Sequence, residues 1–146
     1  ALKDAVRAVR LNGEHAEVLY LSGIIKGERY DSNEGLAEIQ RALAMRPELP
    51  GGTMSMAVLL YESQRYEEAI LKFDEVLRTD TTETANAHFY RGHSYYELKQ
   101  KEKACADFNT AMRSGDREAT FIVRNTEEKK IPRKPKKGAR KTTIEF

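Results

Sequence analysis

Apolar residues along this chain recur at the spacing of an amphipathic helix. One predicted helix has apolar residues at relative positions 0, 3, 4, 7, 10 and 11, which lie on a single face. These residues are Tyr66, Ala69, Ile70, Phe73, Val76 and Leu77. A second stripe follows further along, made of Ala104, Cys105, Phe108, Ala111 and Met112. We therefore expect Phe73 and Phe108 to be buried, and Cys105 to be a core residue rather than a reactive thiol.

The helical pattern itself repeats along the chain. Three units share a small residue, a large apolar residue four positions later, and a third residue three positions after that. The sets are Gly35–Ile39–Ala42, Ala69–Phe73–Val76 and Ala104–Phe108–Ala111, separated by 34 and 35 residues. A second small residue lies upstream in each unit at the same separations: Gly23, Ala57 and Gly92. A fixed period of this length indicates stacked units of two helices each, and hence an all-α fold.

These residues resemble the tetratricopeptide repeat, which has small residues at positions 8, 20 and 27, an aromatic residue at 24 and proline at 32. The clearest unit contains Gly92, Tyr95, Ala104, Phe108 and Ala111. The other units depart from the pattern, with Val76 and Thr81 in the middle unit and Lys26 in the first. The resemblance implies antiparallel helix pairs stacked as a right-handed solenoid. Its predicted segments are repeats at 16–49, 50–84 and 85–118, then a capping helix at 119–125 and a basic tail at 126–146.

The start of the chain continues the same register. Ala1, Ala5 and Ala8 lie 34 residues ahead of Gly35, Ile39 and Ala42. We therefore expect residues 1–12 to be the second helix of a truncated preceding repeat, within a fragment of a longer repeat protein. The alternative is a natural single capping helix, since terminal repeats are often atypical.

Charge divides the chain into two parts. The 25 Lys and Arg residues and 23 Asp and Glu residues give a net charge of +2. From residue 126 onward, eight cations against three carboxylates give +5, which leaves −3 for residues 1–125. The cations are Lys129, Lys130, Arg133, Lys134, Lys136, Lys137, Arg140 and Lys141. They suit an anchor to nucleic acid or an anionic membrane, although a solvated tail explains them equally well.

Residues with catalytic or metal-binding chemistry are sparse. His88 and His93 are five residues apart, which places them about 140° around a helix and disfavours a shared metal ion. The lone Cys105 excludes an internal disulfide and a cysteine-built zinc site. Gly51-Gly52 is not followed by the residues of a phosphate loop, and no serine lies in a nucleophile elbow. We therefore predict no metal, no cofactor and no enzyme activity.

The resemblance also implies where a partner binds. In related repeats the first helix of each pair lines a concave face through positions 2, 5, 9 and 12. The predicted partner-binding residues here are Tyr20, Ile24, Met54, Val58, Tyr61, Phe89, His93 and Tyr96. Such a groove suits an amphipathic helix or an extended apolar peptide. The alternative is that the protein's own chain, or a neighbouring helix, fills part of it.

One known type of partner is not expected. Relatives that bind the acidic C-termini of chaperones carry Lys, Asn and Arg at defined groove positions. These residues form a carboxylate clamp. This chain has Tyr20, Ile24, Ser55, Asn86 and Tyr90 there, so the clamp is missing. The resemblance instead implies a non-catalytic protein–protein interaction scaffold in a multiprotein assembly.

A short sequence similarity bears on the cellular location of that assembly. The sequence from Lys103 to Phe108, followed by Gly115-Asp116, is similar to repeats of envelope-associated proteins of the Bacteroidota. This similarity implies a periplasmic or envelope-associated location. A cytosolic assembly subunit is the alternative.

Overall fold

The computed structural model describes residues 2–29, 31–79 and 82–127, which form seven α-helices with no strand among them. The helices are α1 (Leu2–Arg29), α2 (Ser32–Met45), α3 (Gly52–Glu62), α4 (Tyr66–Thr79), α5 (Thr84–Glu97), α6 (Lys101–Arg113) and α7 (Arg117–Glu127). This confirms the predicted all-α class. The eight cations of the basic tail lie outside the described residues.

The helices stack as consecutive antiparallel pairs, α1–α2, α3–α4 and α5–α6, and α7 packs on α6. Each pair also contacts the next through α2–α3 and α4–α5. In addition, α1 contacts α3 and α3 contacts α5. The first helices of the three pairs therefore form one continuous layer, which positions the predicted groove residues side by side.

Two of the turns between paired helices each contain one residue in the left-handed backbone conformation. Gln64 and Lys99 both have φ of 63°, and they lie between α3 and α4 and between α5 and α6. The N–H of Arg65 donates to the carbonyl of Leu60 at 2.9 Å, and the equivalent bond closes the other turn. A left-handed residue past a helix end reverses the chain while satisfying the last carbonyls. These turns make the helices of each pair antiparallel.

Aspartates begin two of the helices. The carboxylate of Asp31 accepts from the backbone N–H of Asn33 at 2.8 Å at the start of α2. Asp116 accepts from the N–H of Ala119 at 2.8 Å at the start of α7. Each satisfies a donor that would otherwise lack an intrahelical partner, next to the positive end of the helix dipole.

The core lies between the helices of each pair and between successive pairs. Phe73 is 0% exposed and Phe108 is 3% exposed, which confirms their predicted burial. The small residues allow the close approach: a Cβ added at Gly35 would lie 2.5 Å from the carbonyl oxygen of Gly23. No side chain fits between α1 and α2 at that crossing.

The N-terminal helix differs from the expected arrangement. The repeat register predicts a helix at residues 1–12 and another beginning at residue 16, whereas α1 runs without a break from Leu2 to Arg29. The residues between them, Gly13, Glu14 and His15, include no proline. A glycine inside a helix costs only about 1 kcal/mol relative to alanine, which is too little to end a helix.

One row of apolar residues on α1 is left uncovered. Leu11, Val18, Leu21 and Ile25 are all more than half exposed, at 53%, 63%, 58% and 53%. Their spacing of seven, three and four residues places them along a single face. The contacts that α1 makes with α2 and α3 therefore leave this stripe facing solvent.

The predicted burial of Cys105 is wrong, because its thiol is free and exposed. The buried face of α6 consists of Ala104, Asp107, Phe108 and Ala111. Cys105 is one residue, or about 100°, away from Ala104 around the helix. A polar residue, Asp107, occupies the buried position that the apolar pattern did not identify.

Candidate partner-binding surface

Five of the predicted groove residues lie partly exposed in the layer formed by α1, α3 and α5. They are Tyr20, Ile24, Met54, Val58 and Tyr96. Tyr20 is fixed by a hydrogen bond of 2.7 Å between its hydroxyl and that of Ser55, which joins α1 to α3. The side chain is thereby held with its ring half-buried, as part of a preformed surface.

Three other predicted groove residues belong to the core, and their assignment to an open partner surface is corrected. Tyr61 is 6% exposed, Phe89 0% and His93 1%. Phe89 packs in one cluster with Ala119 and Ile122 of α7, so the capping helix covers this end of the layer. The repeat positions alone do not show how much of the groove a capping helix fills.

These buried residues form a continuous aromatic cluster across the pairs. The Tyr61 ring meets the Tyr90 ring edge-on at 5.3 Å between centroids. His93 contacts Phe89 at 4.7 Å and Phe108 at 5.0 Å in the same way. Edge-to-face packing of this kind adds to the stabilisation from burial. The cluster makes α3, α5 and α6 a rigid support for the exposed groove residues.

A row of carboxylates follows one edge of the layer, and we call it the acidic edge. Glu28, Glu62 and Glu97 lie at or next to the last residue of α1, α3 and α5, separated by 34 and 35 residues. The sequence analysis missed them, although the register that aligned the glycines also aligns these glutamates. A negative charge at the C-terminal end of a helix opposes the helix dipole.

The Tyr61 hydroxyl lies close to the acidic edge. Burial, followed by the neighbouring Tyr66, Tyr90, Glu97 and Glu62, raises the pKa of Tyr61. Its hydroxyl oxygen is fully buried, and the described part of the chain provides it with no hydrogen-bond partner. Burial raises the pKa of Tyr96 as well, with Glu97 adding to the effect. This corner of the surface combines aromatic rings with negative potential.

A cleft of about 490 Å³ opens between the α2–α3 connection and the end of α4. Leu49, Met54 and Val76 contribute apolar lining, and Glu48 and Glu75 contribute carboxylates. Met54 thus borders both this cleft and the layer of first helices. The cleft offers room for an apolar side chain beside negative charge.

An ion network fixes the third pair to the second. The guanidinium of Arg91 donates to both oxygens of Asp107, at 2.8 and 2.6 Å, and to Asp74 at 2.7 Å. The ring of His88 bonds Asp107 at 2.9 Å. Hydrogen bonding to Asp107 is the main cause of the raised pKa of Arg91. These bonds join α4, α5 and α6, so we assign the network a structural role.

Within residues 2–29, 31–79 and 82–127, no three or more His, Cys, Asp or Glu side chains are grouped so as to hold a metal ion. No helix in them is long and apolar enough to cross a membrane.

The comparison with protein families agrees with the stacked helix pairs of the structure. The tetratricopeptide repeat model matches residues 28–83 and 54–119. The chain belongs to the tetratricopeptide-repeat family. The comparison with curated proteins finds no match.

Solved structures with a similar fold include tetratricopeptide domains. The Arabidopsis OM64 domain has a TM-score of 0.71 at 18% identity, covering 82% of this chain and 99% of that one. The first such domain of Spaghetti (RPAP3), bound to the HSP90 peptide SRMEEVD, scores 0.69 at 17% identity, with coverages of 80% and 94%. A MamA RS-1 double mutant scores 0.65 at 20%, with coverages of 87% and 77%. At these identities the likeness concerns the fold.

Proposed function

We propose that this chain is a non-catalytic scaffold that binds a helix or peptide of a partner protein along the layer formed by α1, α3 and α5. One observation carries the proposal: Tyr20, Ile24, Met54, Val58 and Tyr96 are apolar and partly exposed where a solvated face would carry charges. Tetratricopeptide domains act as interaction modules, and one structural neighbour holds a peptide. Burial of these residues against a partner is the driving force.

The charge of the surface defines the partner further. The acidic edge lies beside the apolar residues, and Glu48 and Glu75 line the adjoining cleft. A complementary partner carries Lys or Arg next to apolar anchors, since opposite charges favour encounter and fix the register. The peptide of the Spaghetti neighbour, SRMEEVD, has three carboxylate side chains. Such a peptide is a poor match here, because Tyr20, Ile24 and Asn86 replace clamp residues.

A second candidate function rests on the tail. The eight cations in 129–141 would bind nucleic acid or an anionic membrane through counterion release, with the repeats as a carrier. No aromatic residue lies among these cations, so base stacking is not available to strengthen such binding.

Selected peptides test the scaffold proposal. Peptides chosen from a displayed random library against the full chain would be measured by fluorescence anisotropy. Val58→Asp places a charge in the apolar layer, and Leu71→Asp makes the same change on α4, where Leu71 is 67% exposed. We expect at least a tenfold weaker Kd for the first variant and an unchanged Kd for the second. Equal affinity for both variants would contradict the proposal.

A further inference from the structure

We propose that α1 packs antiparallel against α1 of a second copy of this chain, so that the protein forms a dimer. The contact is made by the apolar stripe of α1, whose members are all more than half exposed: Leu11, Val18, Leu21 and Ile25. The proposal goes beyond the binding of a partner in the groove, and it can be tested with no partner present.

The stripe lies on the side of α1 opposite its contact with α2. Gly23 is part of that contact, because a Cβ added there would come within 2.7 Å of Ile39 Cγ1. Leu21 and Ile25 are each two residues from Gly23, which places them about 160° away around the helix. A helix on the surface of a protein usually has one apolar face. The second apolar face of α1 therefore indicates a contact beyond the described helices.

The positions in the stripe are symmetric about Val18. Leu11 and Ile25 lie seven residues before and after it, on the same line along the helix. A two-fold axis at Val18 therefore places Leu11 of each copy opposite Ile25 of the other. The two Val18 side chains then contact each other, and Leu21 packs beside them. An interface between two identical subunits requires this kind of self-complementarity.

The charges at the two ends of the stripe favour the antiparallel arrangement. Arg7 lies one turn before Leu11 and Glu28 lies three residues after Ile25, and both charged residues are exposed. Antiparallel packing about the same axis brings Arg7 of each copy next to Glu28 of the other. Parallel packing would instead place Arg7, Glu14 and Glu28 each against its own copy. Because opposite charges favour one partner and fix the register, this pattern fits a second copy of the same helix.

The size of the contact suits a reversible dimer. Residues 7 to 28 of α1 span about 30 Å along the helix. A contact made by one helix of each copy lies near the lower end of the areas found in specific complexes. We therefore expect the dimer to dissociate on dilution.

The dimer leaves the partner surface of each copy open. Tyr20 is two residues, or about 160°, from Val18 around α1, so it does not face the second copy. If the proposed function holds, the dimer presents two partner surfaces, and a partner with two binding segments gains effective concentration. Failure of the dimer would leave the scaffold proposal standing, because Val58→Asp tests that proposal separately.

Analytical ultracentrifugation of the full chain over a range of concentrations tests the dimer. We expect twice the mass of one chain at high concentration. Val18→Glu should raise the dissociation constant of the dimer at least tenfold, because it places two carboxylates together at the axis. Leu71→Glu makes the same change on α4, where Leu71 is 67% exposed, and should leave the constant unchanged. A chain that is monomeric at every concentration, or equal constants for the two variants, would overturn the proposal.

A charge exchange tests the orientation without altering the apolar stripe. Arg7→Glu should weaken the dimer severalfold, because it places two carboxylates together at each end of the contact. Arg7→Glu combined with Glu28→Arg re-forms an opposite pair at each end and should restore the dissociation constant. Helicity by circular dichroism should be the same in all these variants. Equal dissociation constants for the single and double variants would overturn the antiparallel arrangement.

Cross-linking tests the register. Leu11→Cys and Ile25→Cys would each be made in a Cys105→Ser chain and treated with a short bis-maleimide. In the proposed dimer each introduced thiol lies about 21 Å along the helix from its own copy, so neither variant alone should cross-link. A mixture of the two variants should cross-link readily. Linking of Leu11→Cys to its own copy, or no link in the mixture, would overturn the register.

Discussion

Gly92 of α5 lies directly against the ring of Phe108 of α6: a Cβ at residue 92 would come within 3.0 Å of Phe108 Cε1 and 3.1 Å of Cδ1. The two residues belong to different helices of the third pair. This contact explains why the repeat needs both residues. Gly92 has no side chain, and the ring of Phe108 fills the space left on the neighbouring helix.

Changing either partner of this contact is expected to destabilise the protein. Phe108→Ala should lower the free energy of unfolding by about 3–5 kcal/mol, since it leaves a cavity in the core. Gly92→Leu should be similarly damaging because the added side chain collides with the ring. Urea unfolding followed by circular dichroism measures both. Leu71→Ala, on the exposed face of α4, is the control and should change stability by no more than about 0.5 kcal/mol. A Gly92→Leu protein with wild-type stability would contradict the packing.

The Arg91 network should behave as a coupled unit. Asp107→Ala removes the acceptor of two guanidinium bonds and should cost about 1.5–3 kcal/mol, as expected for hydrogen bonds to charged groups. Arg91→Lys keeps the charge but loses the paired geometry and should be destabilising as well. A double-mutant cycle between Arg91→Ala and Asp107→Ala measures the coupling. Additive effects of the two changes would mean that the bonds contribute nothing to stability.

The left-handed turn residues offer a stabilising change. Gln64 and Lys99 hold φ of 63°, a conformation that costs roughly 1–2 kcal/mol for residues with a Cβ. Gln64→Gly and Lys99→Gly should therefore raise the free energy of unfolding, each by up to about 1 kcal/mol. Gly115 has φ of 88°, so Gly115→Ala is the opposite change and should be destabilising. Thermal unfolding of the three variants checks both signs.

The ion pair between Lys26 and Glu38 makes stability depend on acid pH. The hydrogen bond from Lys26 lowers the pKa of Glu38 below its ordinary value of 4.5, and one from Ser22 adds to the effect. The stabilisation that this ion pair gives the folded state is complete above about pH 4.5. It is lost as pH falls through the lowered pKa of Glu38 in the folded state. Glu38→Gln should flatten the loss of stability in this range. Glu67→Gln, at an exposed position, is the control, and equal flattening in both would contradict the assignment.

The repeat spacing predicted most of the fold. The small residues and the large apolar residues between them define the helix crossings, so Phe73 and Phe108 could be placed in the core from their register alone. The unbroken α1 could not be predicted in this way. Nothing in a period of 34 residues shows whether the chain turns or continues between Gly13 and His15, because that depends on what packs against each side.

The candidate site was predicted less completely. Repeat positions identify residues that face along the layer, and Tyr20, Val58 and Tyr96 lie there partly exposed. Repeat positions carry no information on what α7 covers, which is why Phe89 is a core residue. They also do not show that His93 is buried among the rings of Tyr61, Phe89 and Phe108. Val58 and Tyr96 are therefore the side chains to alter in binding experiments, since changes at Phe89 would report on folding instead.

The salt dependence of peptide binding tests the central claim most directly. Affinity for one selected peptide would be measured at two salt concentrations for the wild type, Val58→Asp, and a full-length chain with the eight tail cations replaced by glutamine. We expect weakened binding only for Val58→Asp, a salt slope much shallower than eight cations on a polyanion would give, and affinity at least equal to wild type for the neutral-tail chain. Full affinity for Val58→Asp, with a steep salt slope and loss of binding when the tail is neutral, would contradict the account and favour the basic anchor.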